Sequence, residues 1–271
     1  MKLFKSDKLS PLWQFSQKGN IFRLHFADDD ILAGETRDPE TKRVYFFSLD
    51  VKTGKVFLKN FVFENEDFWV GSENAGGKFI FLHRFAQPEM PMHKGIIALD
   101  AKSGEKIWEN NELEYIFHNA DGVYAIRQLF ETTEISLLDF NSGKLIKKFS
   151  NEENSSVYEL REKSTYEYFD AEFRYPESIP HHLIEKELKD KTVSGSAEAV
   201  IFAEKIIFNY HIKHEKFLDN VICIYDLDSG EKLYEETLNK DASYQVPDSF
   251  FIKGRYLICL REKNQIIAFK L

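Results

Sequence analysis

Ala98-Leu99-Asp100-Ala101-Lys102-Ser103-Gly104-Glu105-Lys106-Ile107-Trp108 is the stretch that decides the fold. An aliphatic strand ends in Asp, a Ser-Gly turn reverses the chain, and a second apolar strand follows. Gly supplies the positive φ such a turn needs, and the Asp and Ser side chains bond local backbone N–H groups. The pattern returns at Leu49-Asp50 to Thr53-Gly54-Lys55, at Leu138-Asp139 to Ser142-Gly143-Lys144, and at Tyr225-Asp226 to Ser229-Gly230-Glu231. One hairpin repeated at this period predicts the blades of a β-propeller, because one small sheet cannot bury both faces alone.

Working outward from these turns, each repeat divides into four short strands. The first takes Ile21-Phe26, Ile31-Glu35, Val44-Leu49 and Val56-Phe61; the second takes Phe68-Gly71, Lys78-His83, Ile96-Leu99 and Lys106-Trp108. The third takes Glu114-Phe117, Val123-Leu129, Ile135-Leu138 and Leu145-Phe149, and a later one takes Ala199-Ala203, Ile206-Ile212, Val221-Tyr225 and Lys232-Glu235. The chain ends at Gln265 to Leu271 on a strand that lacks a successor, while Pro11-Leu12-Trp13-Gln14-Phe15 looks like a fourth strand with no third before it. The two termini are therefore expected to complete one blade together and so remove an open sheet edge.

Blade number turns on residues 150–196, which lack the Asp-Gly turn. The spacing from Asp139 to Asp226 has room for two blades. Val157-Leu160, Thr165-Phe173, Leu183-Leu188 and Thr192-Val193 then supply the strands of a degenerate one. This gives a single all-β domain, 1–271, with six blades at about 17–63, 64–111, 112–150, 151–196, 197–240 and 241–271 plus 9–16. The alternative is five blades with an insertion.

Composition bounds the function. The 25 Phe and 12 Tyr supply large surfaces for packing between sheets. A net charge of −9 opposes binding to nucleic acid or to anionic membranes, which need clustered Lys and Arg. The N-terminus shows no secretory signal and no stretch has the length of a membrane span, so a cytoplasmic monomer is expected. Cys223 and Cys259 sit in apolar runs and read as buried thiols.

At Ala98 to Trp108 the repeat resembles the tryptophan-docking repeat of the quinoprotein dehydrogenase-like propellers, where Ala, Asp, Ser/Thr-Gly and Trp recur at these spacings. The resemblance extends over most of the chain apart from residues 150–196. Its implication is architectural, since similar repeats serve outer-membrane assembly scaffolds as well as quinone enzymes. Trp108 is kept, but Leu58, Lys147 and Tyr234 hold the equivalent place elsewhere, with Trp13 at the N-terminal end. No adjacent-cysteine pair accompanies them, so no quinone or calcium site is carried over and no cofactor is expected.

Reactive motifs are sparse. His211 with His214 and His181 with His182 are spaced so that a strand sends the paired rings apart, and neither pair chelates alone. Asp28-Asp29-Asp30 reads as a turn, and Gly76-Gly77 as a hairpin without the helix a phosphate site needs. Aligning the first-to-second strand turns places His25, Glu73 and His118 in equivalent positions, with Arg23 on the side of His25. These four form a candidate ligand or metal set at one mouth of the central channel. Long second-to-third strand connections, Thr36 to Arg43, Arg84 to Lys94 and His214 to Asn220, carry Arg37, Met90, Met92, His93 and Phe217 as a candidate binding face. The expected function is a non-catalytic interaction scaffold for a protein or small-molecule partner. A channel-based ligand- or metal-binding enzyme is the alternative.

Overall fold

The computed structural model describes residues 8–27, 30–64, 68–86, 92–130 and 132–271. Its strands run β1 (Trp13–Ser16), β2 (Asn20–Ala27), β3 (Ile31–Asp38), β4 (Arg43–Asp50), β5 (Val56–Phe61), β6 (Val70–Gly76), β7 (Phe79–Phe85), β8 (His93–Asp100) and β9 (Lys106–Asn110). They continue through β10 (Glu114–Asn119), β11 (Gly122–Gln128), β12 (Thr133–Leu138) and β13 (Leu145–Lys148). Helix α1 (Asn154–Glu172), strand β14 (Phe173–Arg174) and helix α2 (His182–Leu188) follow. The chain closes with β15 (Glu198–Phe202), β16 (Lys205–His214), β17 (Phe217–Asp226), β18 (Lys232–Ala242), β19 (Phe250–Lys253), β20 (Tyr256–Arg261) and β21 (Gln265–Lys270).

Five antiparallel sheets result among the described residues: β2 to β5, β6 to β9, β10 to β13, β15 to β18, and a five-stranded sheet ordered β1-β21-β20-β19-β14. The chain divides into two compact units, Gln17–Phe169 and Met1–Ser16 with Asp170–Leu271. In the first unit the opening two sheets share a core of Phe46, Leu58, Ile80, Leu82, Ile97 and Leu99. The second and third sheets share another, built on Phe81, Trp108, Val123 and Leu138. In the second unit, Ile207, Ile222 and Ile224 of one sheet pack with Phe250, Leu257 and Phe269 of the other.

The repeated turns have one geometry. Asp100 Oδ1 accepts from the Ser103 N–H at 2.9 Å and from its hydroxyl at 3.1 Å, and Gly104 follows at φ +73°. Asp50 with Thr53, Asp139 with Ser142 and Asp226 with Ser229 repeat these bonds. Trp108 Nε1 donates to the Phe140 carbonyl at 3.1 Å, and its ring lies over the next turn, 2.5 Å from where a Cβ on Gly143 would sit. Strand register also bears out the equivalences: Leu58 pairs with Ser48, Trp108 with Ala98, Lys147 with Leu137, Tyr234 with Ile224, and Trp13 with Ala268. The last of these shows β1 completing the C-terminal sheet, as the terminal strands require.

Residues 150–196 depart from expectation. Val157-Leu160, most of Thr165-Phe173 and Leu183-Leu188 are helical, not strands of a sixth sheet, and Val193 makes one isolated bridge to Ile212. The reason lies in spacing: Val157 and Leu160, three apart, share one helix face and pack on Phe117, Tyr124 and Ile135. Helix α2 likewise buries Leu183 and Ile184 against Ala199, Ile206 and Phe208. The long connections also shorten, because β3, β16 and β17 run past their apolar cores; His214 pairs with Phe217 across a two-residue hairpin.

Candidate functional site

Among the β-bulges of the first unit, three re-aim side chains around Glu73 and Arg23 that strict alternation would place elsewhere. In β6 the register shifts between Ser72 and Asn74, leaving Glu73 as the extra residue. In β8 it shifts opposite Leu82 and Arg84, beside Gly95 at φ +76°. In β2 it shifts between Ile21 and Arg23.

Glu73 is thereby turned toward its own sheet. Its Oε1 accepts from His93 Nδ1 at 2.5 Å and lies 3.0 Å from His83 Nδ1. The two imidazoles stack with centroids 3.5 Å apart and planes 12° from parallel. Burial opposes ionisation of Glu73, but the His83 and His93 contacts outweigh it and hold the carboxyl at about 2. Burial depresses the pKa of His83, which favours neutral imidazole.

His25 and His118 are engaged elsewhere. Ser72 donates its hydroxyl to Glu35 Oε2 at 3.0 Å and so accepts from His25 Nε2, also at 3.0 Å. An imidazole that donates to a serine is no base for it, and Ser72 is buried, so the pair does not make a nucleophile. Burial, with Arg23 adding to it, lowers His25 to about 4. His118 Nδ1 is 2.7 Å from the Tyr115 hydroxyl, and burial lowers that histidine to about 4 as well. Among the described residues neither belongs to a convergent group of ligand atoms; Glu73 converges with His83 and His93 instead. Arg23 donates to the Ser72 carbonyl and lies 3.9 Å from Glu35.

Of the expected binding face, Arg37 belongs to β3 and is locked in place. Its Nε donates to Glu35 Oε1 at 2.6 Å, and its other nitrogens donate to the Phe68 and Val70 carbonyls at 3.2 and 3.1 Å. The rings of Phe22, Phe68 and Phe85 surround its guanidinium at 5.1, 5.1 and 5.5 Å. Trp69 meets Phe68 and Phe85 edge-on, and Phe85 meets His93 the same way at 5.7 Å. Phe22 is 57% exposed and Met92 55% exposed, with Trp69 also exposed. Phe217 lies in the other unit, at the β16–β17 hairpin. Met90 falls outside the described residues, as do Asp28 and Asp29.

Sequence alone missed His83, and the pairing of His93 with Glu73. The signal available was His83 on the second strand of the repeat with His93 at the start of the third. The bulge that unites them with Glu73 leaves no mark in periodicity.

A cleft of about 460 Å³ opens on the same unit, lined by Glu73, Asn74, Tyr115 and Ile126 together with Tyr158, Arg161 and Thr165 of α1. Other convergent groups are accounted for structurally. Glu187 binds Lys232 at 2.8 Å and also engages Lys191 and the Tyr225 hydroxyl. Cys223, raised to about 12 by burial, is a protonated thiol rather than a nucleophile. His211 Nε2 accepts from the Val246 N–H at 3.0 Å, and His181 caps α2 by accepting from Leu183.

No curated protein matches the chain. Among solved structures it is similar to BamB from Moraxella catarrhalis, at 12% identity and a TM-score of 0.34, over 96% of this chain and 79% of that one. It is similar to the quinohemoprotein alcohol dehydrogenase ADHIIG from Pseudomonas putida HK5, at 10% identity and a TM-score of 0.30, over 96% of this chain and 40% of that one. The AfRom2 CNH domain is similar at 9% identity and a TM-score of 0.31, over 97% and 98%. A family model described as "Domain of unknown function (DUF4905)" matches residues 27–108, the part of the chain that contains Arg37, Glu73, His83 and His93.

Proposed function

We propose that this chain is a binding module of the five-bladed propeller type, with a helical insertion after its third sheet, that engages a protein partner without chemistry of its own. The surface around Arg37 carries the proposal. A guanidinium fixed by three hydrogen-bonding partners forms the floor, Phe22 and Trp69 stand exposed at its rim, and Met92, next to His93 in sequence, is exposed as well. Exposed aromatic and Met side chains around a pre-ordered Arg form the composition typical of an interface hot spot. The absence of an activated serine at Ser72 and the protonated thiol of Cys223 favour binding over catalysis. Affinity capture with the triple variant Phe22→Ser, Trp69→Ser, Met92→Ser is the test. The partner recovered with the native chain is expected to be lost while the melting temperature holds. Retention of that partner by the variant would overturn the assignment.

A second reading rests on the cleft beneath α1. Glu73, Arg161, Tyr115 and Tyr158 give it both charges and two phenols, a lining suited to a small polar ligand. Arg161→Ala should weaken such a ligand and leave the partner of the Arg37 surface unaffected.

A further inference from the structure

We propose that Glu73, His83 and His93 bind a divalent transition-metal ion, with zinc as the ion best matched to two nitrogen ligands and one carboxylate oxygen. The three residues come from adjacent strands of one sheet, β6, β7 and β8, and each offers a ligand atom within 4.8 Å of the other two. Imidazole nitrogen with one carboxylate selects zinc and its first-row neighbours over calcium and magnesium, which prefer all-oxygen shells.

The independent observation is His83 itself. Its side chain is 0% exposed, and neither ring nitrogen has a hydrogen-bond partner. Nδ1 approaches Glu73 Oε1 at 3.0 Å, the oxygen to which His93 already donates. Buried polar atoms are nearly always paired, because leaving one unpaired costs about 1–3 kcal/mol. A metal bound at Nδ1 removes that cost at one of the two nitrogens, and an ionised Glu73 supplies the compensating charge.

Two bulges bracket the cluster, one at Glu73 and one beside Gly95, and such irregularities aim side chains together where a regular ladder would separate them. Arg23 and Arg37 are the nearby cations, and Glu35 pairs with both at 3.9 and 2.6 Å, which offsets their repulsion of an incoming ion. One rearrangement is needed. A metal must lie in the plane of each imidazole it binds, so the stacked pair must open. His83 is fully buried, whereas His93 is 30% exposed and stands at the start of β8, so its ring turns. On binding, His93 changes tautomer: Nδ1 gives up the proton it donates to Glu73 while Nε2 takes one from solvent, so the ring stays neutral and the Nδ1 lone pair binds the ion. Three protein ligands leave at least one coordination position open to water or another ligand.

The test uses the full chain, stripped with chelator and dialysed against Zn2+ or Co2+ alone. One equivalent of tightly bound ion is expected, with visible Co2+ absorption, two paramagnetically shifted imidazoles and a melting temperature that rises with metal. His93→Ala and Glu73→Gln should each weaken binding by about 10-fold or more, by analogy with the effect of losing even supporting groups at metal sites. His214→Ala should not, although His214 lies near Asp219 and Asp241 in a separate exposed group. The imidazole shifts are read on the native chain, so the result does not depend on a variant folding. Absence of stoichiometric binding, binding that survives both substitutions, or binding lost in His214→Ala would each overturn the site.

Discussion

At the scale of single residues, identity and position act through different physics. Asp100 illustrates identity: its carboxylate closes a turn by accepting from Lys102, Ser103 and the Ser103 hydroxyl. Asp100→Ala should cost about 1 kcal/mol, read as a lower denaturation midpoint. Gly143 illustrates position, since φ +65° and the Trp108 ring both exclude a side chain. Gly143→Ala should destabilise by about 1–2 kcal/mol from backbone strain alone, with a change in Trp108 fluorescence as the ring is displaced. Glu73 shows the limit of reading residues one at a time. Its place near a turn aligned it with His25 and His118, but the bulge at that residue redirected it to His83 and His93.

Among the elements, the edges and the insertion carry the most weight. Trp13 is buried in β1 and pairs opposite Ala268, so it occupies in the last sheet the place that Trp108 occupies in the second. Trp13→Ala is expected to cost about 3 kcal/mol, measured by chemical denaturation, and an unchanged midpoint would remove β1 from the stability of that sheet. Helix α1 is held to the third sheet by Val157, which is buried among Phe117, Tyr124 and Leu137. Val157→Asp should cost roughly 2 kcal/mol or more by placing a charge there, and the cleft-lining face of Tyr158 and Arg161 should lose its order with it. The strand pattern was legible because β-branched and aromatic residues alternate between turns. The helices were not, because short apolar runs such as Val157 to Leu160 fit either period.

For the molecule as a whole, the titratable effects on the acid side act in one direction. His25 and His118 fall from 6.5 to about 4 on folding, so the unfolded chain takes up more protons between those values. Stability is therefore complete above about 6.5 and declines as pH falls toward 4. Glu73, lowered from 4.5 to about 2, contributes stability above 4.5 that is lost as pH falls toward 2. Melting temperature should thus fall continuously on acidification below about 6.5, and fall again above about 9, where the unfolded chain gives up the proton that buried Cys223, raised from 9.0 to about 12, retains. His118→Gln should flatten the upper part of the acid slope, and a slope unchanged in that variant would show that His118 is not held neutral by burial.

What the sequence determined by itself was everything encoded locally: the Asp-Ser/Thr-Gly turns, the strands between them, the equivalence of Trp108 with Leu58, Lys147, Tyr234 and Trp13, and the pairing of the two termini. The turns and strands follow from neighbouring residues whose φ preferences, hydrogen-bonding side chains and alternation act over a few positions; the pairing of the termini follows from the repeat, which leaves each terminal strand without its usual neighbour. Tertiary structure alone decided that residues 154–172 are helical, that Arg37 sits among three Phe rings, and that Glu73 meets His83 and His93. Those outcomes depend on bulges and on packing between sheets, where one extra residue in a strand reverses the direction of a side chain and leaves the sequence pattern around it unaltered.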